Sequence, residues 1–347
     1  MAGATLNSPA QRIGRLKGEI LAHAAPTEVL GSGVSQKRMP RQGGETIVYR
    51  RYLPYGGATT NANTINRWSV DFLAHTLQEG VTPNADSLTP QDVTVTMQQY
   101  GVLYSFTDKT VDLSEDGGDI PDEMKKQTGE RIGLLREMIR WGVLKGCSNR
   151  FYAGGTSRAT VDEKVTLPTL RKITRTLKAN HSKMRTSILA PSANFGTKAI
   201  EAAYIVYAHT DAENDIRDLP GFTPVADYGQ RKPISPEEIG SVESFRFLLS
   251  PELAAITDAG ATASGTGLET SGTNVDIYPF IVMGEDAAFD VALRGKEAVD
   301  PTWLPPGNKD KNDPLGQRGY IGGKFYAAAF IGNDGWMAVL EAGVTDL

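Results

Sequence analysis

The chain has 347 residues, 40% of them hydrophobic and 22% charged, with 37 glycines and 19 prolines, an ordinary globular composition with room for about two domains. Its net charge of −5 hides an asymmetry: residues 1–51 carry eight Lys or Arg against three Glu, which leaves −10 for the remainder, so a basic end is expected either to meet a different partner from the body, nucleic acid being one candidate, or to be a solvated basic helix. No apolar run approaches the roughly 18 residues that span a bilayer, and "MAGATLNSPAQRIGRLKGEI" lacks a signal peptide's apolar stretch, so no membrane partner and synthesis in the cytoplasm are expected.

The first predicted element is an amphipathic helix over residues 9–24, with Ile13, Leu16, Ile20 and Leu21 on one stripe. Gly-rich "GSGVSQKRMPRQGGE" and a short strand "TIVYRRY" follow, so the first fifty residues read as an arm with little core of its own. Residues 54–66 then carry no charge at all, and Arg51, Tyr52, Tyr55, Arg67 and Trp68 bracket them. A structureless run of that length normally binds or covers something. Arg and aromatic side chains are enriched at protein interfaces, and Asn61 and Asn63 add adaptable hydrogen bonds. A loop tucked on its own domain is the alternative.

"DVTVTMQQYGVLYSFTD" predicts a long strand in which the apolar positions change parity around Gly101, as at a bulge. A long helix is predicted over "IPDEMKKQTGERIGLLREMIRWGVLKGC", where Met124, Thr128, Ile132, Leu135, Ile139 and Val143 share a face. From Thr166 to about Asp300 helices and strands alternate. Helices are expected at "LPTLRKITRTLKAN" and "NFGTKAIEAAYIV", strands at "TSILAPS", "SFRFLLS" and "DIYPFIVMG", and an exposed mobile loop at "DAGATASGTGLETSGTNVD". The chain closes with two strands joined at Asn333-Asp334-Gly335, a hairpin signal, which would pair with the long early strand.

Motifs for chemistry are weak. Cys147 is alone, which excludes an intrachain disulfide and a cysteine-based zinc site, and it reads as a packed thiol rather than a nucleophile. His209, Asp211, Glu213 and Asp215 alternate in "HTDAEND", but an EF-hand counted from Asp211 would need Gly and Glu where Ile216 and Phe222 stand. No phosphate-cradling GxxxxGK[ST] or GxGxxG and no GxSxG elbow occurs. No catalytic residue, metal site or cofactor is assigned.

The order of elements, an arm, an extended loop, a long bent strand, one long helix, an α/β region and a returning strand, resembles the Hong Kong ninety-seven type of capsid fold. "TIVYRRYLPY", "LQEGVTPNADSLTPQDVTVTMQQYG" and "DPLGQRGYIGGKFYAAAFIGNDGWMAVLEAGV" are similar to segments of the phage N-four-type major capsid family, with the likeness running from about residue 40 to the C-terminus. The resemblance implies an α+β fold with an N-terminal arm (1–52), an extended loop (53–90), a peripheral domain with a spine helix (91–164 and 300–347) and an axial domain (165–299). It further implies self-assembly into pentamers and hexamers of an icosahedral head around double-stranded DNA, in a virion built in the bacterial cytoplasm.

On this resemblance Arg50, Arg51, Tyr52, Tyr55, Asn61, Asn63, Arg67 and Trp68 would form intersubunit contacts, and Arg12, Arg15, Lys17, Lys37, Arg38 and Arg41 would face DNA without reading its sequence. No lysine lies between Lys37 and Lys109, so the lysine crosslink of some such shells cannot form through this loop. Noncovalent contacts or a separate cement (decoration) protein must take its place, and a separate scaffolding protein and a portal are the other implied partners. An encapsulin-like cargo shell, a metal-dependent enzyme using residues 209–215, and a monomeric ligand-binding module using Tyr55 and Trp68 are the rival readings.

Overall fold

A computed structural model describes residues 28–52, 73, 76–82, 90–113, 120–187, 199–229, 233–263, 265–309, 311 and 313–347. In its first half, helix α1 (Leu30–Gly33) precedes strands β1 (Ser35–Met39), β2 (Thr46–Tyr52), β3 (Pro90–Thr96) and β4 (Gln98–Thr107). Helices α2 (Asp108–Leu113) and α3 (Ile120–Leu144), strand β5 (Arg150–Tyr152) and helix α4 (Leu167–Ala179) come next. Strands β6 (Arg185–Ser187) and β7 (Ala199–Ala208), helix α5 (Glu213–Arg217), and strands β8 (Thr223–Pro224), β9 (Glu238–Val242) and β10 (Phe245–Leu249) follow. The last five strands are β11 (Tyr278–Met283), β12 (Ala288–Leu293), β13 (Asp300–Leu304), β14 (Arg318–Ile331) and β15 (Met337–Ala342). The predicted helix over 9–24 lies outside the described residues.

Among the described residues three sheets organise the α+β fold. One runs β1-β12-β14-β13, with β4 also on β14; a second runs β5-β15-β11-β7-β10-β9-β8, with β6 on β7; β2 and β3 form a two-stranded ribbon. β14 pairs antiparallel with β4 over ten residues, Arg318↔Thr107 to Ala327↔Gln98, so the returning strand does meet the early one. The glycines of "GYIGGKFY" make this layer thin. A Cβ on Gly319 would lie 2.3 Å from the Phe106 ring, and one on Gly323 would lie 2.8 Å from Ile132 of α3.

α3 has 25 residues, about 37 Å at 1.5 Å each. Thr128 and Ile132 of its expected stripe are buried, but the buried line then turns to Glu137, Trp141 and Leu144. The cause is a change of neighbour. Ile132, Leu135 and Ile139 pack with Val102 and Phe325 on the first sheet, whereas Trp141 and Leu144 pack with Ile205, Tyr207, Ile281 and Val339 on the second.

Several local expectations are corrected. The segment "NFGTKAIEAAYIV" holds no helix in its described part; from Ala199 it is strand β7, because Tyr204, Val206 and Ala208 enter one core and Ile205 and Tyr207 the other, a period of two. The C-terminal strands do not form a hairpin. β14 and β15 belong to different sheets, and the turn between them is a short 3-10 segment in which Asn333 accepts from the Gly335 amide at 3.0 Å. Gly101 pairs regularly with Lys324, and the parity change falls at Met97 to Gln99, where the strand exchanges β2 for β14 as partner.

The Gly- and Thr-rich run from Asp258 is anchored rather than loose: Ala261 N–H donates to Val161 O, Val275 N–H to Ala261 O and Glu269 N–H to Val344 O. The residues around α1 and β1 contribute core after all, since Val29, Leu30, Val34 and Met39 are buried. The strand expected at "TSILAPS" is described only as β6.

Candidate assembly surface

The ribbon is in register from Thr46↔Thr96 to Tyr52↔Pro90. Because its last pair is Tyr52 with Pro90, the chain leaves and re-enters the ribbon at the same end, and residues 53–89 start and finish there. Alternation gives it two faces. Ile47, Tyr49, Arg51, Gln91, Val93 and Val95 turn inward, while Val48, Arg50, Tyr52, Pro90, Asp92 and Thr94 are exposed.

The inward face seats the ribbon on the first sheet. Ile47, Tyr49, Val93 and Val95 join Met39, Met97, Val291, Ala328 and Phe330, and Tyr49 stacks on Phe330 with centroids 4.9 Å apart. Arg51 donates from Nε to Gln91 Oε1 and from Nη1 to the Gly332 carbonyl, both at 2.8 Å, so it fastens the ribbon to the end of β14; burial pushes its pKa down. The outward face offers Val48, 52% exposed, and Tyr52, 58% exposed, as apolar contacts. Between them Arg50 forks onto Asp92 at 2.8 and 2.9 Å, and this hydrogen bonding holds the Asp92 carboxyl below its usual range. An exposed pair of this kind fixes register more than it stabilises. Tyr55, Asn61, Asn63, Arg67 and Trp68 lie outside the described residues.

Of the basic residues, Arg12, Arg15 and Lys17 also lie outside them. Lys37, Arg38 and Arg41 are exposed. β1 is the outer strand of its sheet, paired parallel to β12. The Lys37 ammonium stands 4.8 Å from the Phe289 ring centre, and Arg38 pairs with Glu297 at 3.0 Å. The turn after β12 adds exposed Arg294, whose amide donates to Met39 O at 2.9 Å. Two hundred and more residues separate it from Arg41, so sequence reading did not join them.

The docking of α1 is centred on Glu137. Its carboxylate, 0% exposed, accepts from the Val29 and Leu30 amides at 2.8 and 2.7 Å, and Arg140 lies between it, at 3.4 Å, and Asp290 of β12, at 2.7 Å. A buried carboxylate satisfied in this way joins three elements that are distant in sequence. Glu137 stands on the predicted helix but off its expected apolar stripe, so the sequence gave no signal of its burial.

The alternating acids of "HTDAEND" do not converge. Asp215 is buried and takes Lys164 at 3.0 Å and the Thr345 amide at 2.8 Å. Glu213 accepts from Arg217 at 2.8 Å. Asp211 accepts from the Tyr278 hydroxyl at 3.0 Å; burial, together with this bond, pushes the Tyr278 pKa up. His209 Nδ1 stands 3.1 Å from the Asp211 amide and 3.0 Å from its carboxylate, and Nε2 faces the Pro251 carbonyl at 3.1 Å. Among the described residues no group of three His, Cys, Asp or Glu is arranged to hold a metal.

Comparison with solved structures places this architecture. The chain superposes over 100% of its length on the capsid of Ralstonia phage GP4, covering 99% of that chain at TM-score 0.64 and 14% identity. It superposes on the capsid of cyanophage Pam1 over 100% of both chains, TM-score 0.61 and 14% identity. The chain has the fold of phage capsid proteins. The head of Helicobacter pylori bacteriophage KHP40 gives TM-score 0.59 at 13% identity over 97% of this chain and 96% of that one. In sequence, the chain is 21% identical over 264 residues to the major capsid protein of Pseudomonas phage KPP21, an alignment spanning 71% of this chain and 66% of that protein, just under two thirds of its length. No family model matches.

Proposed function

We propose that this chain is a non-enzymatic major capsid protein of a tailed phage. It self-assembles into hexamers and pentamers of an icosahedral head enclosing double-stranded DNA. The observation that carries the reading is the end-to-end match of the fold to phage capsid chains, with the sequence likeness to a phage major capsid protein in support.

In this reading residues 1–52 are the arm, 53–90 the extended loop, 91–164 with 300–347 the peripheral domain, and 165–299 the axial domain. In this division β5 and β15 carry the peripheral segments into the second sheet, and β12 carries the axial segment into the first. The extended loop reaches a neighbouring subunit from the ribbon tip, and Tyr55, Asn61, Asn63, Arg67 and Trp68 make contacts there. Its uncharged run suits such an interface, where an unpaired buried charge is costly. Assembly uses a scaffolding protein and a portal, with noncovalent contacts or a cement protein securing the shell, in the cytoplasm of the host. The arm, through Arg12, Arg15, Lys17, Lys37, Arg38 and Arg41, meets packaged DNA electrostatically.

Electron microscopy of the expressed chain, alone and with a scaffolding partner, tests this. Closed shells are expected in at least one condition. Protein that stays monomeric throughout overturns the reading.

A further inference from the structure

From Lys164 to Ile200 the sequence contains eight Lys or Arg and no Asp or Glu, in a body that otherwise carries excess acid. α4 lies in the middle of this stretch. Its inward face is apolar, with Leu170, Ile173 and Leu177 fully buried. Its exposed positions are Pro168, Arg171, Lys172, Arg175, Lys178 and Ala179, so four of six are cationic, and half-buried Thr169, Thr174 and Thr176 flank them. Arg171 is shared with Glu243, Nε to Oε1 at 2.9 Å, and Lys172 stands 5.9 Å from the Phe151 ring. No ion pair engages Arg175 or Lys178 among the described residues. Exposed Lys183 follows the helix.

We propose that the exposed face of α4 is a contact surface for the phosphate backbone of double-stranded DNA. Arg171, Arg175 and Lys178 lie along one ridge at i, i+4 and i+7, spread over about 10 Å of helix axis. That is a rigid row of positive charge on the scale of successive phosphates. The composition separates a nucleic acid from a protein partner. Protein interfaces centre on aromatic or aliphatic anchors, and α4 exposes no large apolar side chain. Backbone contacts to DNA use Arg, Lys and Thr, which is what this face offers. The surface is distinct from the basic arm, because Lys37 and Arg38 belong to the first sheet and α4 packs on the second. The choice of DNA as the polyanion rests on the capsid reading.

The test is binding of a fluorescent 30-base-pair duplex of arbitrary sequence to the full chain at several salt concentrations. Arg175→Ala with Lys178→Ala should weaken binding about tenfold at 0.1 M salt and reduce the slope of log K against log salt by about 2. The thermal midpoint should stay unchanged, since both side chains are exposed. Lys37→Ala with Arg38→Ala serves as the comparison pair. If only that pair weakens binding and the α4 pair leaves both affinity and slope unchanged, the proposal is overturned. It is also overturned if the α4 pair loses binding to polyglutamate but not to the duplex, the result expected of an acidic protein partner. Shell formation is scored separately by microscopy: α4-dependent duplex binding by a chain that never closes shells would refute the capsid reading and leave the surface standing.

Discussion

At the scale of single residues, the positions that matter most are those whose polar atoms are buried. Glu137 satisfies two backbone amides and borders Arg140. Glu137→Ala should cost about 3 kcal/mol, because it strands the amides and an arginine, whereas Glu137→Gln keeps one acceptor and should cost about 1 kcal/mol. Urea unfolding of the two variants measures this, and equal losses would mean the amide bonds contribute nothing. Burial also pushes the Cys147 thiol from 9.0 to about 12 and the Tyr207 hydroxyl from 10.0 to about 12. The unfolded chain releases these protons at ordinary pKa values while the native chain retains them. Stability is therefore fully present below about pH 9 and declines as pH rises towards 12. Thermal midpoints across pH 8–11 should fall accordingly, and Cys147→Ala should flatten the onset of that fall; an unchanged onset would argue against a buried thiol.

At the scale of elements, the ribbon divides its labour between faces. Its inner face is fixed by stacking of Tyr49 and by the Arg51 bonds, and its outer face leaves Val48 and Tyr52 uncovered. Val48→Asp with Tyr52→Ala should thus leave the isolated subunit folded, with a midpoint within a few degrees, while reducing shell yield several-fold on sizing and microscopy. Loss of folding instead would assign those side chains to the subunit's own packing. The long helix and α4 were legible in the sequence because each has a helical period, and β10 and β11, although buried throughout, because they are short apolar runs. β7 was misread as a helix because its apolar run is buried on both faces and so shows no alternation. The false hairpin arose because Asn333-Asp334-Gly335 does signal a turn, yet β14 was already flanked and β15 had a place between β5 and β11. The charge excess of α4 was visible in the sequence, but it was diluted by the acids on either side when charge was counted over the whole body.

At the scale of the whole molecule, two sheets share one helix. α3 touches the first sheet with its middle and the second with its C-terminal end, so displacement of either sheet must be felt along a rigid rod. The Arg51 link and the Glu137 clasp likewise join segments far apart in sequence, and pattern reading is blind to both, since neither leaves a local period.

The position of β14 has a consequence for the order in which the protein can be made. β14 is the strand that β4, β12 and β13 all require, and its pairing with β4 joins residues more than two hundred apart. Until it emerges from the ribosome, β4 has no partner, the ribbon has no Ala328 or Phe330 to sit on, and α3 has no floor. Long-range pairing of this kind folds late. On the capsid reading, a nascent chain therefore lacks a finished docking surface until its last strands are synthesised, which would delay contact between subunits until each chain is complete.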